Sequence, residues 1–224
     1  MEYYKAYDQR YRQVHALGLD WASHQPTPLL GEILSRYGIG KDRRILEIGC
    51  GEGRDAVPLL REGYDLLAAD VSPEAIRRCR ERWPERAASF RVLDVCADEP
   101  EERFAFIFAV AVLHMLTEDR DRDAFYSFLR RSLRPGGCAL VLSMGDGERE
   151  FCSDASRAFE AVERVHQASG RRLRIASTSC RVVSRENLRA EAERNGLLVA
   201  EEGQTSIPGE FDSMLYLVLK TETR

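Results

Sequence analysis

No stretch of the chain approaches the roughly 18 uninterrupted apolar residues of a membrane span, and the opening run Met1 to Arg10 has no apolar signal core. A cytoplasmic, membrane-free setting is the expectation. Cys-x-x-Cys pairs are also lacking. Cys50, Cys79, Cys96, Cys138, Cys152 and Cys180 are scattered, with no histidine nearby at zinc-like spacing, so reduced thiols and no metal are expected. There is no excess of positive charge: 33 Lys and Arg against 37 Asp and Glu leave a net charge of −4, which gives no overall attraction to nucleic acid. Arg77, Arg78, Arg80 and Arg82, like Arg130 and Arg131, read as solvated helix faces. Repeats and low-complexity segments are missing as well, and 224 residues suffice for one substantial α/β core.

The most informative stretch runs from Arg44 to Asp55. Ile45-Leu46-Glu47-Ile48 reads as a buried strand that enters the turn Gly49-Cys50-Gly51-Glu52-Gly53 and then a helix. Glycines at alternate positions allow backbone to approach a ligand closely, and a helix start offers unpaired N–H groups. Arg54 stands where the third glycine of the dinucleotide fingerprint G-x-G-x-x-G would fall, which weakens a pyrophosphate reading. Further strands end on Asp70, on Asp94 and, after Phe104 to Val110, on Leu113-His114-Met115, so their ends share one edge. Asp70 lies at about the distance from the glycine loop expected of a ribose-binding carboxylate.

Apolar strand-like runs alternate with amphipathic helical runs, the pattern of a mostly parallel sheet covered on both faces. Ser72 reads as a helix cap with Pro73 in the first turn, and Asp123 to Leu133 reads as a helix ended by Pro135-Gly136-Gly137. Beyond strand five (Cys138 to Ser143), a helix is expected over about Asp154 to Ala168, a strand near Ser177 to Val183, a helix from Ser184, and final strands near Leu197 to Glu202 and Ser213 to Leu219. Pro58 leaves the start of the helix after the glycine loop open by a turn.

Four ordered pieces make the chain similar to the class I S-adenosylmethionine-dependent methyltransferases: Leu46 to Gly53, Ala69-Asp70-Val71-Ser72-Pro73-Glu74-Ala75-Ile76, Leu93-Asp94-Val95, and Leu129 to Gly137. The resemblance implies a Rossmann-like seven-stranded sheet of order 3-2-1-4-5-7-6 with the last strand antiparallel and helices on both faces. It implies methyl transfer from S-adenosylmethionine, giving S-adenosylhomocysteine, by in-line displacement. The cofactor set it implies is Glu47, Gly49, Cys50, Gly51, Gly53, Arg54, Asp70, Val71, Asp94, Val95 and Val110. Within that set Glu47 lies near the amino group of the methionine part and Asp94 near the adenine amino group, while Arg54 is a candidate for the methionyl carboxylate. Asp55, in the first helical turn, is placed to favour the positive end of the dipole.

His114 and Asp146 are the catalytic candidates, because the loops after strands four and five border the acceptor side; for His114 a pocket wall, and for Asp146 a turn carboxylate, is the alternative. Glu148 reads as solvated, and His15, His24 and His166 are assigned no role. The Asn/Asp-Pro-Pro-Tyr/Phe motif of amino methyltransferases is absent after strand four, where Ala109-Val110-Ala111-Val112-Leu113-His114 stands, which disfavours base or amide methylation. The expected acceptor is a small molecule, its acceptor atom sulfur, selenium, tellurium or oxygen. Residues 1–40, carrying Tyr3, Tyr4, Tyr7, Tyr11 and Trp21, are expected to form a helical cover, with packing on the sheet's outer face as the alternative. Residues 41–224 are expected to form the methyltransferase domain, with Ile207 to Asp212 as a second cover. Two rival functions use the same sheet. One is a non-catalytic S-adenosylmethionine-binding regulatory protein. The other is a nicotinamide-dependent oxidoreductase, which the glycine spacing opposes.

Overall fold

A computed structural model describes residues 2–23 and 25–222; His24 lies outside the described residues. The strands β1 (Ile45–Ile48), β2 (Leu66–Asp70), β3 (Phe90–Val92), β4 (Phe104–Val110), β5 (Leu133–Met144), β10 (Leu197–Ile207) and β11 (Phe211–Thr221) form one sheet in the order β3-β2-β1-β4-β5-β11-β10. Counting only these seven strands gives the expected 3-2-1-4-5-7-6. β11 runs antiparallel to both neighbours, and the pairs from β3 through β5 are parallel.

Every residue of β1, β2 and β4 is buried, as strands covered on both faces require. Alternation divides them between two cores. Leu46, Ile48, Ile107 and Ala109 pack on one face with α5 (Asp119–Ser132) and α6 (Arg185–Arg194). Ile45, Phe106 and Phe108 pack on the other with α2 (Pro28–Arg36), α3 (Ala56–Glu62) and α4 (Pro73–Arg82). Ser72 caps α4 by accepting from the Ala75 amide at 3.1 Å. α3 starts at Ala56, which puts Pro58 third in the helix, where its missing N–H breaks no helical bond.

The expected helix over Asp154 to Ala168 does not form. β7 (Ala161–Val165) instead pairs antiparallel with β8 (Arg172–Ala176), closed by a turn in which Gly170 has φ +66°. The cause is legible in β8, where Leu173 and Ile175 are buried and Arg172 and Arg174 exposed, a period of two rather than 3.6. The strand expected near Ser177 to Val183 also stays out of the main sheet, since β9 (Arg181–Val182) pairs only with β6 (Phe151–Cys152).

One buried ion pair fastens this framework beside the strand ends. Arg122 of α5 is fully buried and donates to both carboxylate oxygens of buried Glu191 on α6. It also donates to the carbonyls of Leu113 and Leu116 at 2.9 and 3.1 Å, which fixes the turn carrying His114.

Candidate active site

The glycine loop leaves β1 with Gly49 and Cys50 both donating to the Ala69 carbonyl, at 2.7 and 2.9 Å. Gly49 and Gly51 have φ +73° and +50°, and a β-carbon on either would lie 2.2 Å from Val112 Cγ2 or 2.6 Å from the Tyr11 hydroxyl. Glycine is therefore required for both space and conformation. Gly53 differs: a β-carbon there would meet Val57 and Trp83, so it packs the loop on its helix and lines neither cavity described below.

Two cavities meet at Tyr7, Tyr11, Gly49, Ala111 and Met115 on the carboxyl edge of the sheet. The larger, about 560 Å³, is lined by Glu47, Gly49, Cys50, Gly51, Arg54, Asp55, Val110 and His114 among others. The smaller, about 100 Å³, is lined by Asp70, Val71, Asp94 and Val95. Apart from Gly53, the whole expected cofactor set thus converges on one cleft. Ala111 and Thr178, both lining the larger cavity, hold φ +60° and +61°, strained values for residues with a side chain.

The acids at the strand ends differ in their partners. Glu47 is fully buried, its Oε2 has no hydrogen-bond partner among the described residues, and burial pushes its pKa well up, with Asp55 adding to the effect. Asp70 accepts from the Gly51 and Ser72 amides at 2.8 Å each, yet burial outweighs those bonds and raises it to about 6. Asp94 accepts from Lys5 Nζ at 2.9 Å and from the Tyr4 hydroxyl at 3.2 Å. Arg54 is engaged by Asp55 and by Glu210, at 3.2 and 2.5 Å.

Residues of the N-terminal segment line this cleft. Tyr4, Tyr7 and Tyr11, from Tyr3–Lys5 and α1 (Ala6–His15), line the smaller cavity, and Tyr7, Tyr11 and Trp21 the larger. Glu52 of the glycine loop accepts from the amides of Trp21 and Ala22 at 2.9 and 2.8 Å, and Asp55 from the Thr27 amide and hydroxyl at 2.6 and 2.9 Å. The turn between β10 and β11 joins in, because Glu210 binds both Arg54 and the Ser23 amide. His15 is a correction to the sequence reading. It is buried between Glu52 and Glu74, at 2.7 and 2.8 Å, and although burial opposes its charge, the two carboxylates raise its pKa. It latches the cover to the loop.

His114 and Asp146 part company. Asp146 turns outward and accepts from the amides of Glu148 and Arg149 at 3.0 and 2.9 Å, and it lines neither cavity. His114 lines the larger cavity, with Nδ1 accepting from the Met144 amide at 3.4 Å, so a neutral ring carries its proton on Nε2. Burial, helped by Arg122, lowers its pKa to about 3. A ring neutral at pH 7 presents its Nε2–H as a hydrogen-bond donor. Its ring resonances should not titrate between pH 8 and 5 in an NMR series; a midpoint near 6.5 would restore the base assignment. Because the unfolded chain takes up this proton near pH 6.5 and the folded one only near 3, His114 should cost stability as pH falls through that interval.

His15, Asp20 and Glu52 bring possible metal-ligand atoms within 4.8 Å of one another. All three are already engaged: Asp20 pairs with Arg78 and Arg82, which therefore hold the cover rather than facing solvent alone. The Tyr-x-x-x-Lys spacing of some nicotinamide oxidoreductases occurs at Tyr37/Lys41 and Tyr216/Lys220, but none of these residues lines the cleft, and both tyrosines donate to Glu201.

Comparison with known proteins agrees with this geometry. A family model described as a methyltransferase domain matches residues 45–137, from β1 into β5. Residues 45–137 are thus similar to a methyltransferase domain, and the sheet has the strand order expected of that fold. Hemagglutinin 1 of Eikenella corrodens is 34% identical over 108 residues, covering 46% of this chain and 35% of that protein. The human tRNA N(3)-cytidine methyltransferase METTL2B is 32% identical over 114 residues, covering 46% and 30%. The chain thus spans about a third of the length of these relatives. Among solved structures, the glycopeptide N-methyltransferase MtfA complexed with S-adenosylmethionine superposes with a TM-score of 0.64 at 21% identity, covering 91% of this chain and 96% of that one. No helix among the described residues is long and apolar enough to cross a membrane.

Proposed function

We propose that the protein transfers a methyl group from S-adenosylmethionine to a small-molecule acceptor and releases S-adenosylhomocysteine. The observation that carries this reading is the unpartnered Glu47 Oε2, buried beside a glycine loop in a cleft that also holds Asp70 and Asp94. A buried carboxylate oxygen without a donor is costly, and the cofactor's ammonium would satisfy it. Asp70 is suited to the ribose hydroxyls, Asp94 to the adenine amino group, and Val71, Val95 and Val110 to the apolar faces. MtfA, which shares the fold, has been seen with this cofactor bound.

The cofactor supplies a sulfonium methyl already activated toward attack. The chain's own part is positioning and exclusion of water: the glycine loop and Glu47 hold one end, Asp70 the other, and the tyrosines of α1 close the top. His114 Nε2–H can donate to the acceptor, but a neutral imidazole with so low a pKa removes no proton efficiently at neutral pH. That favours an acceptor that ionises readily by itself, such as a thiol or an acidic phenol. The roof of aromatic side chains and the net charge of −4 favour a small molecule over a folded RNA. Calorimetric titration with S-adenosylhomocysteine, followed by a turnover screen of thiols, phenols and amines, tests the proposal; absence of cofactor binding rejects it, and binding without turnover of any acceptor leaves a regulatory role.

The cover yields its own prediction. Amides of residues 2–23 are expected to exchange more slowly when S-adenosylhomocysteine is added, because the ligand gives Tyr7 and Tyr11 further packing. Equal exchange with and without ligand would make the segment fixed structure.

A further inference from the structure

The charges around the larger cavity are sorted by sign. Glu47, Glu52, Asp55 and Glu210 gather at the glycine loop, where Arg54, His15 and backbone amides meet all but Glu47. Two further guanidinium groups line this cavity with no carboxylate partner, Arg10 of α1, which is buried, and Arg164 of the β7–β8 hairpin, which is exposed. Arg10 is 5% exposed, and its donors reach only the Ala176 and Ser177 carbonyls and the Tyr7 hydroxyl. It lies 4.9 and 4.7 Å from the Tyr7 and Trp21 ring centroids. Arg164 of β7 lines the same cavity and has no hydrogen-bond or ion-pair partner among the described residues. Burial holds Arg10 below the usual guanidinium range, and the like charge of Arg164 acts in the same direction.

In a chain whose other arginines are so often paired with acids, a buried cation held by carbonyls and rings beside a second cation without a partner is suited to an anion. We infer that the acceptor carries an anionic group, a carboxylate being the simplest, held by Arg10 and Arg164 at the hairpin end of the cavity. This rests on the methyltransferase reading for the word acceptor, but the anion site is testable without it. A carboxylate held at Arg10 and Arg164 leaves the body of the molecule against Tyr7, Trp21 and Phe151, and its far end toward His114. The aromatic walls suit a planar body.

The probes are benzoate and benzamide, equal in shape and different in charge, titrated by calorimetry or ligand-observed NMR with and without S-adenosylhomocysteine. Wild-type protein should bind benzoate about 10- to 100-fold more tightly than benzamide, the range for a charge-assisted bidentate contact. Arg164→Gln should shrink that ratio to a few-fold and Arg164→Lys should keep part of it, while affinity for S-adenosylhomocysteine stays unchanged in both. Equal affinity of acid and amide, including no binding of either at millimolar concentration, overturns the inference, as does a ratio that survives Arg164→Gln and Arg10→Gln alike. Failure of S-adenosylhomocysteine to bind counts against the methyltransferase reading only, since the acid-to-amide ratio is also measured without it.

Discussion

Replacing Asp70 by alanine is expected to weaken S-adenosylhomocysteine binding by about 30- to 1000-fold, or roughly 2 to 4 kcal/mol, in a protein that still folds. Two effects add. The ribose hydroxyls lose a charged acceptor, and the Gly51 and Ser72 amides lose the carboxylate that orders the loop around the ligand. The pH dependence separates them. Ligand hydroxyls donate to the ionised carboxyl, and burial lifts that carboxyl to about 6, so wild-type affinity should fall as pH is lowered through that region. In Asp70→Asn this component should vanish, because the amide does not titrate. Calorimetry from pH 5 to 8, with a thermal melt as a folding control, makes the measurement; unchanged affinity in folded Asp70→Ala would remove the ribose assignment.

The second large effect lies outside the cleft. Arg122→Met should destabilise the fold by about 3 to 5 kcal/mol, because it leaves buried Glu191 with only the distant Arg181 and the Tyr126 hydroxyl, at 3.8 and 3.5 Å. For a chain of this length that corresponds to a fall in melting temperature of about 6 to 20 °C. The double substitution Arg122→Met with Glu191→Leu should recover most of the loss, since two apolar side chains can replace the pair without stranding either charge. Urea unfolding followed by circular dichroism measures all three proteins; a single variant as stable as wild type would show that Glu191 finds water or another donor. The single variant should also loosen the turn at His114, whose neighbouring carbonyls of Leu113 and Leu116 lose the Arg122 donor.

The parts of this protein legible in its sequence are those written contiguously. The glycine loop follows β1 directly, and Asp70 and Asp94 each close a short apolar run, so strand periodicity alone brings them to one edge. Asp146 and His114 looked equivalent because each follows a strand; the difference is that Asp146 sits between glycines free to turn it outward, whereas Arg122 pins the His114 turn inward. Arg10, His15 and Arg164 were unreadable for another reason. Their environments are made by contacts across the chain, His15 with Glu52 and Glu74, and Arg10 with Ala176, and no local pattern encodes them. The β7–β8 hairpin was readable in principle, since Arg172-Leu173-Arg174-Ile175 alternates cleanly, but the charged residues of β7 disguised its partner.

The hydrogen bonds that seat the cover span long stretches of chain: Arg10 to Ala176 is separated by 166 residues, and Ser23 to Glu210 by 187. Contacts of such separation carry a large loop-closure cost and form only after the intervening chain has become compact. On a ribosome, the residues of α1 emerge before the carbonyls and carboxylate that will hold them have been synthesised. One side of α1 finds Glu52, Ser72 and Glu74 early, but the side that meets β8 has no partner until that hairpin is made. The seating of α1 thus begins early and is completed late, and a nascent protein acquires its closed site only when the β10–β11 turn has been made.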